Sequence, residues 1–273
     1  MVIVGTSPPG SDFDASPVVR ICDLPFTALS ESACVTRLLA RLGEGLGTWV
    51  ITPNLDIVRQ CKGDAEVAEL VGTADMLVAD GMPLVWASAL QRTRLPERIA
   101  GSSLIVSLSA AAARADVSVF LLGGNPGTAD GAAAELRRRC AGLRVVGTHC
   151  PPFGFEKDAE QTALIETKLR DAKPDIVYVA LGFPKAERLI CRLRNVAPAA
   201  IWVGVGISFS FLCGEVAQAP PWLRNIGLEW VHRMVQEPRR LVRRYLVHDL
   251  PFAGELFYTA WRARRRSSGP GSG

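Results

Sequence analysis

Val117-Ser118-Val119-Phe120-Leu121-Leu122-Gly123-Gly124-Asn125-Pro126-Gly127 reads as a strongly apolar strand that stops on a glycine-bearing turn and opens into a helix over 127–139. Strand, glycine turn and helix start, in that order, are the setting in which backbone N–H groups meet a phosphate or nucleotide. The turn lacks the G-x-G-x-x-G spacing of a dinucleotide fingerprint. It also lacks the Lys-Ser/Thr of a Walker loop, so neither a conventional dinucleotide site nor an ATPase site is supported.

The same alternation extends in both directions. Short apolar runs predict strands over 48–51, 76–79, 117–122, 144–147, 176–181 and 200–205, and longer patterns predict helices over 31–42, 57–70, 83–91, 102–114, 127–139, 158–171 and 184–194. This is the signature of βαβ units around a mostly parallel sheet, an α/β fold of the Rossmann-like kind. Residues 18–26 read as an N-terminal hairpin or edge strand. In an open α/β sheet ligands sit beyond the carboxyl ends of the strands, so the strand-to-helix turns hold the candidate chemistry.

Thr52-Pro53-Asn54 follows the first strand, and Ala79-Asp80-Gly81 follows the second. Thr52 and Asn54 are read either as helix caps or as pocket residues, and Asp80 either as a cap or as a catalytic base. Arg98, in Pro96-Glu97-Arg98-Ile99-Ala100-Gly101, suits a bidentate phosphate clamp or a surface ion pair. The turn of Gly123, Gly124 and Asn125 comes next, then Leu181-Gly182-Phe183-Pro184-Lys185-Ala186-Glu187 and Val203-Gly204-Val205-Gly206. Six such turns are hard to explain by capping alone.

Composition bounds the rest. The 273 residues, 48% of them hydrophobic, suffice for one large domain with an appendage. Residues 220–266 hold ten arginines, no lysine and four acids, a local charge of +6 on a chain of +4. The remainder is therefore slightly acidic, and the basicity is a local device aimed at something anionic. Arg239, Arg240, Arg243 and Arg244 share one face of a predicted helix, behind a second predicted helix over 222–235, with Phe252, Leu256, Phe257, Tyr258 and Trp261 beyond. That mixture fits a headgroup boundary or a helical subdomain with a solvated arginine face, and no nucleic-acid motif accompanies it. Residues 1–17 and 267–273 read as flexible tails, 18–217 as the catalytic domain and 218–266 as the helical appendage. No secretory signal or run of about 18 apolar residues is seen. Seven cysteines without a C-x-x-C pair and three scattered histidines argue for a reducing cytosol and against a zinc or disulfide framework.

Taken together and in order, these turns, with Gly227-Leu228-Glu229-Trp230 and Glu237-Pro238-Arg239-Arg240, resemble the WecG/TagA/CpsF glycosyltransferases over roughly residues 18–250. The resemblance implies a UDP-sugar donor, no cofactor or metal, inversion at the transferred sugar, and a polyprenyl-diphosphate-linked acceptor at the inner face of the cytoplasmic membrane. It implies Asp80 as general base, Thr52 and Asn54 beside it and Arg98 near the diphosphate, while the turns themselves offer Gly123, Gly124, Asn125, Gly182, Pro184, Lys185, Glu187, Gly204 and Gly206 for substrate contact. Appendage arginines such as Arg224 and Arg233 are further candidates for the leaving-group charge. The chain departs from the family pattern at Ala186, where a Gln is usual, at Ser210, where an Asp is frequent, and at Gln218, which replaces an Arg. A nucleotide-dependent oxidoreductase on the same scaffold and an inactive membrane adaptor are the alternatives. The sequence leaves the oligomeric state open.

Overall fold

A computed structural model of the chain describes residues 16–220, 223, 229–236 and 243–267. Of the tails expected over 1–17 and 267–273, residues 1–15 and 268–273 lie outside these residues, as do Arg224 and the arginines at 239 and 240, while Ser267 ends a helix.

The hairpin expected at the start is present as β1 (Val18–Ile21) paired antiparallel with β2 (Leu24–Thr27). Six parallel strands follow: β3 (Thr48–Ile51), β4 (Met76–Leu77), β5 (Ser118–Gly123), β6 (Arg144–His149), β7 (Ile176–Ala180) and β8 (Ile201–Gly204). Their spatial order is β4-β3-β8-β7-β5-β6. Every residue of β3, β5 and β7 is buried, as a parallel sheet covered on both faces requires.

Alternate side chains of each strand feed two separate cores. Trp49, Ile51, Phe120, Leu122, Val177, Val179 and Trp202 belong to one, and Val50, Val119, Leu121, Ile176, Tyr178 and Val203 to the other. The second face is covered by α1 (Glu31–Gly43), α5 (Gly101–Arg114), α6 (Thr128–Arg139) and the short α9 (Ser208–Leu212). The first carries the hairpin, α2 (Leu55–Gly63), α3 (Ala65–Gly72), α4 (Met82–Leu90), α7 (Ala159–Ala172) and α8 (Lys185–Leu193).

One predicted helix is two. The pattern over 57–70 breaks at Asp64, whose backbone is extended and whose side chain accepts the N–H groups of Glu66 and Val67, ending α2 and capping α3.

In the appendage the described elements are α10 (Glu229–Gln236), a π-helical stretch (Arg243–Asp249) and α11 (Leu250–Ser267). The aromatic cluster, read either as a headgroup boundary or as part of a packed helical subdomain, divides in two. Phe252, Leu256 and Ala260, spaced four apart, are buried in the first core, where α11 packs on α4. Tyr258 and Trp261 stay exposed, with the Arg262 guanidinium 5.8 Å from the Tyr258 ring centroid and that of Arg265 3.8 Å from Trp261. Ion pairs of Lys62 with Glu255 and of Arg59 with the buried Asp249 tie the appendage to α2.

Candidate active site

The chain order of the strands dictates where a ligand fits. From β5 the chain moves outward to the edge strand β6, whereas from β7 it moves back toward β8, so the connections above the adjacent strands β5 and β7 part company. Such a switch point opens a crevice at the carboxyl ends of the strands. A cavity of about 980 Å³ lies there, lined by Gly124, Asn125, His149, Gly182, Lys185 and Gly206 among others.

The walls of this crevice are held by specific bonds. Gly123 and Gly124 both have positive φ, 99° and 84°, and the Gly124 N–H donates to the Ala180 carbonyl at 2.6 Å. That N–H is therefore engaged within the fold, while Gly124 itself lines the cavity. The Asn125 amide donates to both carboxylate oxygens of Glu215 at 2.9 and 3.0 Å, and the Ser210 hydroxyl donates to Glu215 at 2.5 Å. Hydrogen bonds from Ser210 first, then Asn125, hold the Glu215 carboxyl below its usual range. Lys185 pairs with Glu156 at 2.8 Å and stands 5.1 Å over the ring of the fully exposed Phe153. His149, which the sequence reading set aside with the other histidines, is in the cavity wall. Its Nε2 is buried without a hydrogen-bond partner among the described residues, and burial, then Lys168, lowers its pKa so that the ring is neutral at pH 7.

A second, smaller pocket of about 270 Å³ adjoins the first, sharing Gly182, Gly206 and Ile207 as a common rim. It brings together Thr52, Asn54, Asp80, Glu187 and Gly204 from four separate turns. Asn54 caps α2, its Oδ1 accepting the Ile57 N–H at 3.1 Å, while lining the pocket as well. Asp80 is not the N-cap residue of α4: that position is held by Gly81, at φ 147°. The Asp80 N–H donates to the Pro53 carbonyl at 2.9 Å, which ties the two turns into one rim. At the same rim α5 begins without a side-chain cap, so the first N–H groups of Gly101 and Ser102 border the pocket. Sequence reading had no signal for that last feature, since an uncapped helix start is a matter of where the turn falls.

Glu187 is the most unusual group of the pocket. It is 4% exposed, and burial raises its pKa to about 7. Its folded pKa is raised, so the stability it permits is full at about pH 4 and is lost as pH rises through about 7. The change is of the order of 3 kcal/mol by linkage. Glu187→Gln should therefore gain on the native chain by roughly 6–12 °C in melting temperature between pH 4 and pH 8. Thermal melts of both proteins across that range check this, and a constant difference would contradict it.

Pro184 is the N-cap residue of α8, which begins at Lys185. Arg98 is half-buried and lines neither of the two cavities among the described residues, although Ile99 beside it bonds the carbonyl of Ala79 at 2.9 Å. Arg233 belongs to α10, and Arg224 lies outside the described residues. Among the described residues no group of three or more His, Cys, Asp or Glu is placed to hold a metal ion.

Residues 19–266 match the model of the glycosyl transferase WecG/TagA/CpsF family. The chain belongs to that family. It is thus a glycosyltransferase, which displaces the oxidoreductase reading and fits a six-stranded parallel sheet with a switch-point crevice. The glycosyltransferase is also similar to the N-acetylglucosaminyldiphosphoundecaprenol N-acetyl-beta-D-mannosaminyltransferase of Bacillus subtilis (strain 168). The two are 28% identical over 202 residues, covering 74% of this chain and 77% of the relative. At the family departures, Ala186 is buried in the wall of the small pocket and Ser210 holds Glu215 at the edge of the large one. No described helix of the glycosyltransferase is long and apolar enough to cross a membrane.

Proposed function

We propose that this glycosyltransferase moves a sugar, most simply an N-acetylhexosamine, from a UDP-sugar to a sugar carried on a polyprenyl diphosphate, with inversion at the anomeric carbon and without a metal cofactor. The observation that carries the reading is the joining of two pockets of different size across one rim. The larger is at the upper end of the ~300–1,000 Å³ typical of ligand sites and has room for a nucleotide; the smaller suits a single ring. The name of the Bacillus subtilis relative, a sugar transferase acting on a diphosphoundecaprenol-linked sugar, supports the acceptor class.

The chemistry follows from Asp80 standing in the smaller pocket. An acceptor hydroxyl held there attacks the anomeric carbon of the donor from the side away from UDP. The new C–O bond forms as the bond to the β-phosphate oxygen breaks, the electron pair leaves with UDP, and the hydroxyl proton passes to the Asp80 carboxylate. Charge growing on the diphosphate is met by Lys185 in the larger cavity, with arginines Arg98, Arg224 and Arg233 as further candidates. Proton NMR of the lipid-linked product tests the stereochemistry: the new linkage has the anomeric configuration opposite to the donor's, and retention would rule out the single displacement.

We further propose that the protein works at the surface of the cytoplasmic membrane, held by its appendage. Tyr258, Trp261, Arg262 and Arg265 form an exposed aromatic and basic face on α11. Near an anionic bilayer each arginine contributes on the order of 1 kcal/mol. Replacing Arg262 and Arg265 by Glu should weaken sedimentation with phosphatidylglycerol vesicles by roughly tenfold or more, and high salt should do the same to the native protein. Binding unchanged by both would remove α11 from the membrane contact.

A further inference from the structure

We propose that Glu187 binds the acceptor sugar, its carboxyl hydrogen-bonding a hydroxyl of the ring whose reacting hydroxyl gives its proton to Asp80. The inference rests on the transferase reading above and assigns the smaller pocket to the acceptor.

Three observations place Glu187 in this role. It lies in the first turn of α8 on the face that also buries Ala186, Leu189, Ile190 and Leu193, a position where an apolar side chain would serve packing better. The carboxyl is nevertheless kept there with Oε2 buried and without a hydrogen-bond partner among the described residues. Buried polar atoms are nearly always bonded, so an orphan in a pocket wall marks a partner that arrives from outside the fold. The end of β8 leaves room for it as well: a Cβ on Gly204 would stand 2.8 Å from Glu187 Oε1, so a side chain there would push the carboxyl from its place.

The partner is identified by the chemistry. With its pKa pushed to about 7 by burial, Glu187 holds its proton over much of the neutral range and can donate one hydrogen bond while accepting another. A sugar hydroxyl does both in return. The charged and titratable groups around it are Asp80 from the turn after β4, Asp56 with its partner Arg59 from α2, Glu66 of α3 with its partner Arg188 of α8, and Lys185 with its partner Glu156. None of them outweighs burial in setting the proton on Glu187.

The test is steady-state kinetics with UDP-N-acetylmannosamine and a short-chain polyprenyl-diphosphate N-acetylglucosamine, each varied in turn from pH 6 to pH 9. Glu187→Ala should raise KM for the acceptor by about tenfold or more and leave KM for the donor within about twofold, the loss expected when a buried hydrogen bond to substrate is deleted. Glu187→Gln, neutral at every pH and able to donate, should recover most of the acceptor affinity and abolish the fall that the native enzyme shows as pH rises through about 7. Should Glu187→Ala fail to fold, the pH profile of Glu187→Gln against the native enzyme decides alone. An unchanged acceptor KM in the Ala variant, a rise in donor KM instead, or the same pH profile in the native and Gln enzymes would overturn the assignment. A native enzyme that transfers no sugar at all would overturn the transferase reading itself, and the inference with it.

Discussion

Asp80→Asn is expected to lower kcat for sugar transfer by about 10²–10⁴-fold, the range supplied by a positioned general base, while the melting temperature stays within about 2 °C of the native value. The amide keeps the shape of the side chain and removes its charge and its ability to take a proton. Because Asp80 is not the N-cap residue of α4 and its turn is held by the backbone bond to Pro53, the substitution leaves that bond in place. Transfer and melting measured on the same preparation separate the two effects. Retained transfer would reject Asp80 as the base, and a large drop in melting temperature would make it a structural residue.

The second large effect is on stability. Gly123→Ala places a Cβ 2.7 Å from the Ala180 carbonyl oxygen, a backbone atom that cannot swing aside, at a φ of 99° that a side chain rarely adopts. The two costs together amount to about 2–4 kcal/mol, or roughly 5–15 °C in melting temperature for a chain of this size. Gly127→Ala is the control. Its φ is 82°, but nothing lies within 4 Å of the added Cβ, so only the conformational cost of about 1–2 kcal/mol remains. Equal losses in the two variants would mean that the close approach of β5 and β7 at the crevice is not what Gly123 serves.

The parts of the fold that were legible in the sequence are those where one physical signal acts alone. Short apolar runs bounded by turns, such as Val119 to Leu122 and Val177 to Ala180, read as strands and are buried strands, and the glycine turns after them locate the crevice. Where two signals compete, the reading slipped. Over 57–70 the helical period continues through Asp64, but the side chain of Asp64 caps a new helix more favourably than its backbone continues the old one. No helix is expected over 208–212, where the single turn of α9 forms against α6 and α5, contacts that the local sequence does not reveal.

The candidate site divides in the same way. Residues fixed by turn chemistry, such as Thr52, Asn54, Asp80, Gly182 and Gly206, could be read as neighbours at one sheet edge, and they line the adjoining pockets. What could not be read is the state of each group. The protonation of Glu187 comes from burial among residues distant in sequence, the engagement of the Gly124 N–H comes from the neighbouring strand, and the holding of Glu215 comes from Ser210 and Asn125. Each depends on contacts that exist only once the sheet has formed.

The most direct measurement is the mass of the lipid product after the enzyme is incubated with polyprenyl-diphosphate N-acetylglucosamine and, in turn, UDP-glucose, UDP-N-acetylmannosamine and the corresponding uronic acid donor, with chelator present throughout. The expected result is one added sugar residue on the lipid from one of these donors, with an equal amount of UDP released. No added mass with any donor, or addition that appears only when a divalent metal is restored, would contradict a metal-independent transfer from a UDP-sugar to a lipid-linked acceptor.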